Sequence, residues 1–129
     1  MRIVGIGVDA TEIERILAIC ERNREAFLAR VYTPREQEYC MAKKNFGESL
    51  AARWAAKEAV MKALGTGWAQ GVAWSDIETL NLPSGAPTLE LSGGALEVAR
   101  NLGVVEWKIS LTHTKSEAIA YVIALGNDA

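Results

Sequence analysis

The segment from Leu50 to Leu64 constrains this chain more than any other. It contains no Gly or Pro, and the strong helix formers Ala, Leu and Met dominate it. Gly65 and Gly67 follow, as glycine does just past a helix end. The pattern predicts one long helix from about Glu48 to Leu64. At about 100° per residue, the face centred on Glu58 holds Ala51, Trp54, Ala55, Met61, Lys62 and Gly65. The other side holds Leu50, Ala56, Ala59, Val60, Ala63 and Leu64. A helix apolar nearly all round is a buried one. Arg53 and Lys57 share a second polar edge to one side. Glu58 and Lys62 are therefore expected at a cleft or an interface. Their spacing also suits an ordinary helical ion pair, worth roughly 0.2–0.5 kcal/mol, and spacing alone leaves both roles open.

The 129 residues suit one domain, 1–129, and half of them are hydrophobic, enough for a real core. No apolar run approaches the roughly 20 residues of a membrane span. The first apolar run stops at Asp9, with Glu12 and Glu14 following, which is not a signal-peptide pattern. Cys20 and Cys40 show neither metal spacing nor a disulfide framework, so reduced thiols and a cytoplasmic location are expected. A formal charge of −2 argues against nucleic-acid binding through bulk charge. Four arginines nevertheless gather in one region: Arg15, Arg22, Arg24 and Arg30.

Strand is expected over Arg2–Val8, then helix from about Thr11, where "TEIE" reads as a capping box, continuing with a break near Asn23 to Val31. On the first of these helices Ile13, Ile16, Leu17 and Cys20 should face the core. Arg15, Ala18, Ile19 and Arg22 should face outward. "TPRE" at 33–36 is a second capping box with proline at the first helical position. Strands are expected at Ile77–Leu82 and Thr88–Leu91 around the turn "PSGAP", a helix at Gly94–Leu102, and two last strands, Val104–Thr112 and Ala118–Leu125, around "HTKSE". The chain thus reads as α+β with antiparallel neighbours.

Few residues are left for chemistry. Asp9 is either a helix cap or, with Thr11 already capping, free for other work. Gly5 and Gly7 before it mark close approach of another backbone or of a ligand. His113, the only histidine, is either structural or functional, and there is no His/Cys cluster for zinc. Two carboxylates, Asp9 and Glu58, with Lys62 one turn beyond, suit Mg²⁺ and phosphate.

"GIGVDATEIERI" at 5–16, "ARWAAKEAVMKALGTG" at 52–67 and "SLTHT" at 110–114 resemble the holo-[acyl-carrier-protein] synthases, the small bacterial-type 4′-phosphopantetheinyl transferases. The three motifs come in family order and span Gly5 to Thr114. The resemblance implies a 4′-phosphopantetheinyl transferase-like fold: an antiparallel sheet packed with a long central helix, assembled as a homotrimer with sites between subunits. It implies transfer of the phosphopantetheine arm of coenzyme A to a serine of apo-acyl carrier protein, for fatty acid biosynthesis. Asp9 and Glu58 would hold Mg²⁺ against the pyrophosphate, and Lys62 would bind phosphate. Arg53, Gly65, His113 and Thr114 would meet the coenzyme. Asp9, Glu58, Lys62 and His113 would form the catalytic group, with the general base either a water held by a carboxylate or His113. The exposed face Arg15–Ile19–Arg22 would dock the acidic carrier protein. One departure is Ala86, where the family often has a basic residue in the middle turn.

Overall fold

The computed structural model describes residues 1–67 and 69–128; Trp68 and Ala129, inside the expected domain limits, lie outside the described residues. The elements follow in the order β1 (Arg2–Glu12), α1 (Ile13–Arg22), α2 (Arg24–Val31), α3 (Pro34–Met41), α4 (Phe46–Leu64), β2 (Ile77–Asn81), β3 (Pro87–Leu91), α5 (Gly93–Asn101), β4 (Val104–His113) and β5 (Glu117–Gly126). β1, β5 and β4 make one antiparallel sheet in that order, and β2 and β3 make a separate antiparallel pair. The α+β reading and the antiparallel pairing hold.

α4 is the organising element. Its apolar composition makes it helical, and Gly65, at φ 75°, stops it: Gly65 N donates to Met61 O and Thr66 N reaches the same carbonyl. One side of α4 lies on the inner face of the three-stranded sheet. There a Cβ on Gly5 would collide with the Ala63 carbonyl, and one on Gly7 with the Ala59 carbonyl. The two glycines therefore answer to the backbone of α4, not to a ligand. Around the rest of α4 sit two buried clusters. One joins Val60, Leu64, Val72 and Ile77 to α5 and the sheet; the other joins Leu50 and Ala51 to Ile16, Phe27, Tyr32 and Cys40.

Several local expectations are corrected. β1 runs on to Glu12, so the "TEIE" capping box does not form. Thr11 pairs with Ala118 of β5 and its hydroxyl donates to Asp9 Oδ2 at 2.7 Å. Strand pairing of a β-branched residue has displaced the local cap. Asp9 is thus a mid-strand residue opposite Ala120. On α1, Leu17 is exposed, with its methyls beside Gly47, while Ile19 is half-buried against the second cluster. The rotation of α1 onto α4 turns out a residue expected inside and covers one expected outside.

Arg53 and Lys57 form no solvated edge either: both are buried. Lys57 Nζ donates to Glu36 Oε1 at 2.7 Å, to Trp74 O at 3.0 Å and also to Ile77 O. Glu36 closes the "TPRE" capping box and accepts Thr79 N at 3.0 Å. One buried ion pair therefore ties α3, α4 and β2 together. Desolvation pulls the Lys57 pKa down, and Glu36 opposes it. The helix apolar all round is enclosed by its own chain, so its composition is not the mark of a subunit interface.

Gly7→Ala is expected to cost roughly 1–3 kcal/mol or more, because the added methyl meets a backbone carbonyl that cannot move aside. Gly65→Ala, at positive φ with open space around it, should cost about 1 kcal/mol. Urea unfolding of both variants checks this, and an unchanged midpoint for Gly7→Ala would remove the close-approach argument.

Candidate active site

The seat of α4 on β1 brings Asp9, Glu58 and Lys62 together. Lys62 Nζ donates to Val8 O at 2.9 Å and to Asp9 Oδ1 at 3.2 Å. The helical Glu58–Lys62 ion pair is not what forms; Lys62 pairs instead with the strand carboxylate. Glu58 is half-buried, and burial raises its carboxyl above the ordinary range. The neighbouring Asp9 carboxylate raises it further, while Lys62 and Arg15 oppose the shift. Two carboxylates held close enough to repel, flanked by cations, form a ready seat for a divalent ion. Among the described residues there is no group of three or more His, Cys, Asp and Glu that would hold a metal alone. The donor set therefore fits Mg²⁺, which takes one or two carboxylates and completes its shell with phosphate oxygens and water.

Arg15 lies at the border of this cluster. Its guanidinium sits 5.5 Å from the ring of Trp54, one turn before Glu58 on α4. Arg22 is exposed at the end of α1. Arg15 and Arg22 thus face outward as expected, whereas Ile19 is largely covered.

His113 is not brought to the carboxylates within one chain. It ends β4, with Nδ1 3.3 Å from Thr114 O and Nε2 3.8 Å from Glu48 Oε1. Glu48 is ten residues from Glu58, about 15 Å along the helix axis. Thr114 shapes the hairpin tip: its hydroxyl accepts from Ser116 N at 3.2 Å and Glu117 N at 3.0 Å. Gly65 caps α4 in open space.

His113 and Arg53 belong to a second feature, a cleft of about 500 Å³ at the first turns of α4. Tyr39, Lys43, Lys44, Asn45, Glu48 and Asn81 also line it. Sequence reasoning placed neither Lys43 nor Lys44 at the coenzyme, and passed over Tyr39 and Asn81. Neither has a motif; both arrive through α3 and β2 folding over one edge of α4. Arg53 was assigned to the coenzyme on resemblance, and its burial here is set by Tyr39 and Asn81: its Nη2 donates to Asn81 Oδ1 at 2.7 Å.

Comparison with known proteins agrees with this geometry. Residues 5–122 match the family model of the 4′-phosphopantetheinyl transferase superfamily. A holo-[acyl-carrier-protein] synthase of Solibacter usitatus is 50% identical over 94% of this chain and 97% of its own length. The structure of the synthase from Neisseria meningitidis superposes with a TM-score of 0.88 at 28% identity, covering 96% of this chain and 99% of that one. The Bacillus anthracis synthase, solved in complex with coenzyme A (3′,5′-ADP), gives a TM-score of 0.80 at 33% identity, covering 97% and 98%. The chain belongs to the holo-[acyl-carrier-protein] synthases of the 4′-phosphopantetheinyl transferase superfamily, and is an enzyme of that class.

Proposed function

We propose that this chain transfers the 4′-phosphopantetheine arm of coenzyme A to a serine of apo-acyl carrier protein, with Mg²⁺, for fatty acid biosynthesis. In this reading it acts in the cytoplasm as one domain, 1–129, and as a homotrimer. The observation that carries the proposal is the meeting of Asp9, Glu58 and Lys62 at one point, in a chain of this family. The serine Oγ forms a bond to the β-phosphorus, and the bond from that phosphorus to the bridging oxygen breaks, releasing adenosine 3′,5′-bisphosphate. Such transfer asks mainly for positioning and charge neutralisation. Asp9 and Glu58 hold the cation. Mg²⁺, when bound, neutralises pyrophosphate charge and polarises the phosphorus. Lys62, half-exposed and held among the described residues by Val8 O and Asp9, turns its ammonium to phosphate as a second positive charge. The serine proton passes to a water held by Asp9 or Glu58, with His113 the second choice.

The case for a homotrimer rests on the sheet. Its inner face packs on α4, while its outer face carries Ile6 and Val8 of β1 and Tyr121 of β5, which are 56%, 50% and 44% exposed. Ile119 and Ile123 extend this surface. A contiguous apolar sheet face of this kind marks an interface. Within one chain His113 is remote from Glu58, and Arg53, five residues before Glu58, points from a different side of α4; a site shared between copies brings these groups to one nucleotide.

The assay is the mass of apo-acyl carrier protein after incubation with coenzyme A and Mg²⁺. Asp9→Asn and Glu58→Gln are each expected to lower turnover about 100-fold or more with unchanged circular dichroism. Near-normal Mg²⁺-dependent transfer in either would refute the metal assignment. Tyr121→Glu should yield a monomer by sedimentation and lose transfer; a variant that stays trimeric and active would remove this face from the interface. Arg22→Glu should raise the KM for carrier protein several-fold, more at low salt, and leave that for coenzyme A unchanged. It is the cleaner probe of docking, because Arg15→Glu also places a carboxylate near Glu58.

A further inference from the structure

Arg53 presents an electrostatic anomaly. It is 3% exposed, and no carboxylate among the described residues pairs with it. Its partners are neutral: Asn81 Oδ1 at 2.7 Å from Nη2, and the Tyr39 ring with its centroid 4.4 Å from Cζ. Its Nε makes no hydrogen bond among the described residues. A buried cation normally takes a carboxylate, because an unpaired one is costly. Lys57, one turn further along α4, obeys that rule through Glu36. Arg53 does not, and it lines the cleft with Lys43 and Lys44 against the one carboxylate of Glu48.

We infer that Tyr39 and Asn81 are positioning residues: they hold the Arg53 guanidinium in place without neutralising it, so that the cleft discriminates for a phosphate at the 3′ position of the nucleotide. This rests on the proposal that coenzyme A is the substrate. Coenzyme A carries two anionic groups. The pyrophosphate belongs with Asp9, Glu58 and Lys62, which leaves the 3′-phosphate for a cleft whose buried charge has no carboxylate partner among the described residues. The aromatic ring lies against the guanidinium and leaves its charge in place. The Asn81 amide has a fixed orientation, since its Nδ2 donates to Gly85 O at 3.0 Å. Oδ1 therefore faces Arg53. The same contact ties the 82–86 turn, which carries Ala86 and no cation of its own, to the cation on α4. Lys43 Nζ, 4.6 Å from the Tyr39 ring centroid, is gathered by the same platform.

The test is calorimetric binding of adenosine 3′,5′-bisphosphate and of adenosine 5′-phosphate to the full-length assembly, with transfer measured alongside. The wild type is expected to prefer the bisphosphate by at least about tenfold. Tyr39→Leu and Asn81→Asp should each reduce that preference about tenfold while binding adenosine 5′-phosphate within twofold of wild type. Tyr39→Phe, which keeps the ring, should behave as wild type. Asn81→Asp is the decisive variant, because it gives Arg53 a carboxylate, and the new buried ion pair offsets the lost Nδ2–Gly85 O hydrogen bond, so the melting temperature should stay near that of the wild type. A purely structural role would instead weaken both ligands alike in step with stability, and that result overturns the inference. So does a wild type with no preference for the bisphosphate. If the wild type shows the preference and the variants lose it, but no transfer to apo-acyl carrier protein occurs, the clamp stands and the proposed function falls.

Discussion

The structure depends on how closely α4 approaches β1. Gly5 and Gly7 remove side chains from the strand, and Ala59 and Ala63 keep the helix narrow, so two backbones meet where any Cβ would intrude. This contact sets both the height of the helix above the sheet and its register along β1. With Gly7 seated under Ala59, Asp9 comes near Glu58, and Lys62 reaches back to Val8 O and Asp9. The candidate active site is thus a consequence of small residues that carry no chemistry. Asp9 is steadied further by the Thr11 hydroxyl, available because β1 continues where a helix cap would otherwise form.

Two buried cations one turn apart on α4 show how the same burial serves different ends. Lys57 is matched by Glu36 and by backbone carbonyls of the segment from Trp74 to Ile77. Its desolvation is compensated inside the protein, and it acts as a rivet between layers. Among the described residues Arg53 receives a ring and an amide and no carboxylate. Its charge remains available to the cleft. A like treatment of the two would bury one edge of α4 uniformly; the contrast leaves its Lys57 end tied into the layers and its Arg53 end lining the cleft.

The three-stranded sheet has a similar division. Its inner face is filled by Ala118, Ala120, Val122 and Ala124, small residues that let α4 lie flat. Its outer face keeps Ile6, Val8 and Tyr121 in the open. β1 keeps the period-2 alternation of a strand but inverts its usual character: Gly5, Gly7, Asp9 and Thr11 lie on the side of α4, and Ile6 and Val8 point outward. The same strand therefore lets α4 approach closely on one side and presents apolar side chains on the other.

The sequence by itself determined the long helix and its glycine stop, the "TPRE" cap, the two hairpins and the motifs that identify the family. These depend on local propensity and on residues a few positions apart, so a linear reading recovers them. It also named Asp9, Glu58 and Lys62 as chemically eligible, though their meeting depended on packing. Only tertiary structure decided that Thr11 is a strand residue, that Leu17 faces out and Ile19 in, and that Arg53 and Lys57 are buried. Each of these turns on a partner distant in the chain: Ala118 for Thr11, Gly47 for Leu17, Glu36 for Lys57 and Asn81 for Arg53. A helical wheel ranks the faces of one helix by polarity. Which face is covered depends on what folds over it, and a lysine or arginine is covered wherever the arriving element brings an acceptor or an aromatic ring to meet it.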